Sequence, residues 1–341
     1  MISKPAAVPG PFSKEEYDMK RALAFTAVMA LLISLAAGYA ETAFSETAWT
    51  TSLTARCASV EEGRQLMRGR TLFHEQIRKK ALAFFLQKKD GTLEDYIRWS
   101  EDQVLPFTPE EERRVRDTLA WLKDLMERHG LKLPDPGELT FVKTTGLEAL
   151  GSTGYTSGGT IFINAGTLRA SEYPDEPFRV LVTHELSHCL SRKFPEYRQA
   201  LYSLVHFTVL EEDIPVPEEL LDNVIANPDV EHHDSIATFT IGGEKKDCYL
   251  LFMTDAVFEK PGDSFFSGIY SGVVPLDGSR VYRVDEVEDF WDVVGRNTSY
   301  VEDPEELMAV NFSIALTQLD IGYGSFRSPE IPEGIIAWLK R

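Results

Sequence analysis

The chain has 341 residues, of which 43% are hydrophobic and 26% charged, and it carries a formal net charge of −19 with a pI near 4.8. Such a length buries a large core, and the composition is that of a globular protein. The acidity argues against a nucleic-acid partner, since no basic face balances phosphates, and disfavours docking on anionic lipid; its plainest physical meaning is solubility.

The N-terminus reads as an export signal. Met19, Lys20 and Arg21 form a short basic region, Ala22 to Ala37 is an uncharged apolar run, and Gly38 and Ala40 are small residues before Glu41. Residues 1–40 are therefore expected to be a signal peptide, with Met19 as an alternative start, and the mature protein to be exported, periplasmic or extracellular. The run is short for a membrane span, so none is expected after cleavage; an uncleaved anchor is the rival reading. The cysteines Cys57, Cys189 and Cys248 show no CxxC spacing. A bridge between Cys57 and Cys248 is left open, and Cys189 is expected in the core.

Residues 41–135 are expected to form a helical N-terminal region. Val60 to Lys89 carries apolar residues at helical spacing, Leu66, Phe73, Ile77, Leu82, Phe85 and Leu86, and stops at Asp90-Gly91. Thr92 to Val104 is a second segment. Thr108, Pro109, Glu110 and Glu111 combine an N-cap, a first-position proline and first-turn acids. The helix they start runs to His129, where Gly130 closes it. Leu133 to Gly137 reads as a linker and marks a domain boundary.

Strand patterns follow. Leu139 to Thr144 is one; Gly151 to Gly159 is turn-like; Ile161, Phe162, Ile163 and Asn164 lie in a short β-branched strand. Bordering a cleft, that strand is a candidate edge for an extended peptide. Ala237 to Ile241 and Cys248 to Met253 make a hairpin around Gly242-Gly243, and Glu286 to Val294 is helical.

The most informative stretch is Phe178 to Phe194, which contains His184, Glu185 and His188 as HExxH. Phe178, Val182, Leu186 and Cys189 give this helix a buried face. His184 and His188, one turn apart, point the same way, as two ligands of one metal ion must, and Glu185 is placed to reach a water beside it. A catalytic zinc needs a third protein ligand. HExxHxxGxxH is excluded, because Ser191 and Phe194 stand where its glycine and third histidine would be. A distant carboxylate remains. Asp303 and Pro304 can start a helix carrying Glu306 inward, with Glu305 one register away; Glu211 and Glu212 are the rivals. The Asn227 to Asp234 loop holds His232 and His233. It is read chiefly as surface, with a transition-state donor or a second ion site as the other readings and His233 the residue favoured for the cleft, as such a donor or as a support behind the ligands.

With Tyr300 just upstream of PEELMAVNF, the sequence resembles the gluzincin metallopeptidases, the HExxH-plus-glutamate enzymes, and within them the lethal-factor-like group. The resemblance implies an α+β fold with a zincin-like metallopeptidase domain over 139–341. It implies one zinc ion on His184, His188 and Glu306, Glu185 as general base, Tyr300 facing the reacting carbonyl, and a peptide or protein substrate. The group's further acid, four residues after the ligand, falls on Val310 here. A weakly active or inactive binding protein on the same fold is therefore the alternative, and a zinc hydrolase of non-peptide bonds a third.

Overall fold

In the computed structural model the described residues are 47–169, 175–278, 280–322 and 325–341. The expected leader, residues 1–40, lies outside them. The fold is mixed α+β, and Ala48–Arg341 forms one compact unit. Among the described residues no helix is long and apolar enough to cross a membrane.

The chain opens with β1 (Trp49–Thr50) and β2 (Thr54–Cys57). Where one long helical segment is expected from Val60 to Lys89, there are three helices: α1 (Val60–Arg68), α2 (Leu72–Gln76) and α3 (Lys79–Leu86). The break is local. The Gly69 N–H turns back to the Leu66 carbonyl, and Thr71 starts a new helix, donating its N–H to His74 Nδ1 at 3.1 Å. The apolar residues of this continuous-looking pattern serve two clusters: Met67 joins Val142 and Phe162, whereas Phe73, Ile77, Leu82 and Phe85 gather around Tyr96. Next come α4 (Leu93–Glu101), β3 (Val104–Leu105) and α5 (Pro109–His129), the last capped by Thr108 and closed by Gly130 at φ 66° as its sequence requires.

The predicted boundary does not separate two bodies. Leu133 and Pro134 form β4, which pairs with β1, and Leu133 is buried. More telling is β5 (Glu138–Thr144), which takes β2 as a parallel neighbour and β3 as an antiparallel one. The N-terminal region thus supplies strands to the sheet that follows it. A buried ion pair fixes the same junction: Glu111, third residue of α5, accepts the Thr108 N–H at 2.7 Å and pairs with Lys143 Nζ on β5, also at 2.7 Å.

The sheet runs β2-β5-β7-β6, with β6 (Gly154–Ser157) antiparallel to β7 (Thr160–Asn164). The turn-like stretch before Thr160 is therefore half strand, with Gly158 and Gly159 (φ 55° and 80°) making the hairpin turn. Alternation sorts the strands' side chains. Phe141, Ile161 and Ile163 face the main core, and Val142 and Phe162 the cluster under α1. Gly63 of α1 sits so close that a Cβ there would lie 2.7 Å from a methyl of Val104.

Below the sheet, α6 (Ala165–Arg169) leads to α7 (Glu176–Lys193), whose Phe178, Val182, Leu186 and Cys189 enter the main core. Beyond α8 (Pro195–Ser203) a second, antiparallel sheet runs in the order β12-β11-β10-β9-β8. Its strands are β8 (Thr208–Val209), β9 (Ser235–Ile241), β10 (Glu244–Thr254), β11 (Ile269–Pro275) and β12 (Tyr282–Arg283), with α9 (Glu218–Leu221) between β8 and β9. The expected hairpin is β9–β10, longer than its apolar letters suggest. Glu286 to Val294 is helical only over α10 (Phe290–Val294). Finally α11 (Pro304–Ile321) lies along α7, and α12 (Glu330–Leu339) packs on α11. Cys57, Cys189 and Cys248 are all free, so the bridge left open between Cys57 and Cys248 is not made.

Candidate metal centre

Helix α7 carries His184 and His188 on one face, one turn apart, with their Nε2 atoms 3.1 Å from each other. Helix α11 meets that face. Asp303 caps it, accepting the Glu305 N–H at 2.8 Å, and Pro304 begins its first turn. Two acids are thereby aimed at the histidines. Glu306 Oε2 lies 3.2 Å from His184 Nε2 and 3.7 Å from His188 Nε2. Its other oxygen accepts from Asn227 Nδ2 at 2.6 Å. Oε2 itself is buried without a hydrogen-bond partner. An orphaned carboxylate oxygen facing two imidazole nitrogens, all within 4.8 Å of one another, is a donor set that fits a zinc ion. Glu211 and Glu212, the rival ligands, are exposed and belong to no such group.

Glu305 plays a different part from its neighbour. Consecutive helical residues point about 100° apart, so it reaches the other side of His188 and accepts from Nδ1 at 2.8 Å. Taking the proton on Nδ1, as this bond assigns it, leaves the Nε2 lone pair facing Glu306. Ser191 and Tyr202 also donate to Glu305, and Arg198 lies 3.8 Å away. Burial alone would raise this carboxyl, but His188 and Arg198 outweigh it and hold the group down at about 2. Position 310, where the resemblance expects a supporting acid, is Val310; the acid that meets His188 on its Nδ1 side is Glu305, which the sequence alone presents only as a register slip of Glu306.

The protonation of the cluster is that of ligands sharing protons. Burial opposes charge on both histidines, yet Glu306 beside His184, and Asp229 and Glu305 beside His188, raise both imidazoles. Glu306, despite burial, is lowered by the same contacts. A divalent cation would take the place of those protons.

Glu185 points into the cleft beside this cluster. Thr156 Oγ1 donates to its Oε2 at 2.8 Å. Burial, then the charge of Asp229, pushes its carboxyl well above the ordinary carboxylate range. The cleft, about 350 Å³, is bordered by His184, Glu185, Asp229, Tyr300 and Glu306, together with Ser152, Thr153 and Gly154. Tyr300 borders it too from the mouth, 39% exposed; burial of its hydroxyl and the nearby Glu306 keep it neutral by moving its pKa upward.

No family model, curated protein or solved structure matches this chain.

Two expectations are corrected by the geometry. The strand holding Ile161, Phe162, Ile163 and Asn164 is internal, with β5 on one side and β6 on the other. The edge is β6, and its first residue borders the cleft. Farther along that edge Asp229 Oδ1 takes the Thr156 N–H at 2.6 Å and Arg192 donates to the Thr156 carbonyl. At the cleft end the carbonyls are engaged as well, Gly154 accepting from Ser152 Oγ at 2.6 Å and Thr153 from the Asn164 N–H at 3.1 Å. The second correction concerns His233. Its Nδ1 lies 3.8 Å from Asp303, at the cap of the helix that carries Glu306, and it does not border the cleft, so of the two roles expected the place beside a reacting group is not the one it occupies. His232 sits outside, against Asp213.

The 227–234 loop nonetheless matters, through residues that carry no signal in the sequence. Asp229 is buried, 3.9 Å from His188 Nε2, and burial with Glu306 nearby lifts it to about 6. An Asn-Pro-Asp turn puts it there: Asn227 Oδ1 accepts the Asp229 N–H at 2.9 Å.

Proposed function

We propose that this protein is a zinc-dependent peptidase of the gluzincin type, built on a zincin-like fold and exported from the cytoplasm. One observation carries the reading. The two histidines of HExxH and a carboxylate from a helix more than a hundred residues away converge on one point, with Glu185 facing the same cleft. A zinc ion held by His184, His188 and Glu306 supplies a polarised substrate carbonyl and a water whose pKa falls from about 15.7 to about 7.

The chain's own residues do the rest. Glu185, steadied by Thr156, takes the proton of the attacking water and returns it to the leaving amine. The neutral Tyr300 hydroxyl donates to the oxyanion as it develops. Glu305 fixes the tautomer and orientation of His188, and Asn227 holds Glu306. An inactive binding protein is favoured only by a missing supporting acid, and Glu305 behind His188 fills that place, so turnover is the better reading.

Digestion of a broad peptide library tests the proposal. Cleavage that a chelator abolishes and zinc restores is the expected result; an intact library at full zinc occupancy rules the reading out. Glu305→Gln should weaken zinc binding by about 10–100-fold, read by competition with a chromophoric chelator. Unchanged affinity would strip Glu305 of its orienting part.

A further inference from the structure

A second cavity, about 560 Å³, opens beside the cleft and shares Tyr300 and Asp229 with it. Its walls come from across the chain. Phe73, Phe85 and Tyr96 belong to α2, α3 and α4, and Phe252 and Phe265 to β10 and the loop after it. Phe266, 54% exposed, stands at the rim. Into this aromatic enclosure points one acid, Glu302. It is 8% exposed, and its Oε2 has no hydrogen-bond partner. No Lys, Arg or His is among the described residues lining the cavity. The other lining acid, Asp229, is already engaged by the Thr156 N–H.

Resting on the peptidase reading, we propose that this pocket is the subsite for a basic side chain of the substrate, lysine or arginine, whose charge Glu302 meets. The chemistry of the walls and of the acid converge on such a ligand. Aromatic faces desolvate a chain of methylenes and attract a cation laid over them. The Tyr300 hydroxyl engages this carboxyl, but its buried Oε2 is left without a partner, which is unfavourable, and a ligand cation removes that penalty. A phenylalanine or leucine side chain would use the same walls but cover Glu302 and leave it unpaired. An acidic side chain would meet like charge. The pocket also explains what the N-terminal helices contribute, since without Phe73, Phe85 and Tyr96 the cavity has no floor.

Binding tests this without turnover. In NMR titrations of the full chain, N-acetyl-arginine amide should bind at least tenfold more tightly than N-acetyl-norleucine amide or N-acetyl-phenylalanine amide. Glu302→Gln, which keeps the side chain's shape, should abolish that preference. Equal or tighter binding of either apolar amide to the unaltered protein overturns the assignment, as does failure of all three to bind, and neither result depends on the variant folding. Retention of the preference in a folded Glu302→Gln chain overturns the part given to Glu302. If the arginine amide binds as expected but no library peptide is cleaved at full zinc occupancy, the hydrolase reading fails and the subsite stands. Zinc-dependent cleavage without a basic residue near the cut fails the subsite alone.

Discussion

Glu185→Gln should retain one equivalent of zinc and lose the proposed peptide hydrolysis by about 10²–10⁴-fold in kcat. The substitution preserves the hydrogen-bonding shape that Thr156 holds at 2.8 Å, so the cleft should keep its form. It removes only the capacity to accept a proton. Glu185 is not among the residues that converge on Glu306 Oε2, so ligation by His184, His188 and Glu306 is left intact. Elemental analysis and single-turnover kinetics on the same preparation separate the two effects. Undiminished turnover would refute the base assignment and turn attention to Asp229, the other buried acid near His188. Should metal and activity fall together, Glu185 would belong to the ligand set instead, with His188 and Asp229, the alternative grouping the geometry contains.

How far the letters alone reach follows from the physics of each element. HExxH is legible because its information is local: a four-residue spacing on a helix fixes two side chains on one face whatever the rest of the chain does. Helix α5 is equally legible, since Thr108, Pro109 and Gly130 are terminal signals read within one turn. Glu306 is reachable because Asp303 and Pro304 announce a helix start and an acid among apolar residues is conspicuous. Strand neighbours are not reachable. Nothing in TIFIN tells whether β6 or solvent lies beside it, and sheet order is a long-range property. The break at Gly69 is hidden for a related reason: apolar spacing continues across it, although the residues on either side enter different clusters. Glu305 and Asp229 are hidden because their role depends on which side of an imidazole they meet. That is a matter of about 100° around one helix for the first, and of a turn in a loop for the second.

Replacing His188 with alanine should release the zinc and also destabilise the metal-free protein, and the second effect separates this histidine from its partner. His188 is fully buried between Glu305 on its Nδ1 side and Glu306 on its Nε2 side. Without it, Glu305 keeps Ser191, Tyr202 and the more distant Arg198 but loses its closest charged partner, and Glu306 loses one of two. Breaking a buried charged pair in this way typically costs about 3–5 kcal/mol. His184, with its side chain 16% exposed, has no such contact with Glu305. His184→Ala should therefore also abolish stoichiometric zinc binding, since two protein ligands do not hold a catalytic zinc, but with a smaller loss of stability in the presence of chelator. Denaturant unfolding of both variants, with and without zinc, reads the difference. Zinc should stabilise the unaltered protein and neither variant. A His188→Ala protein that still carries one zinc, or that unfolds at the same denaturant concentration as His184→Ala in chelator, would mean that α11 does not deliver its paired glutamates to opposite sides of one imidazole.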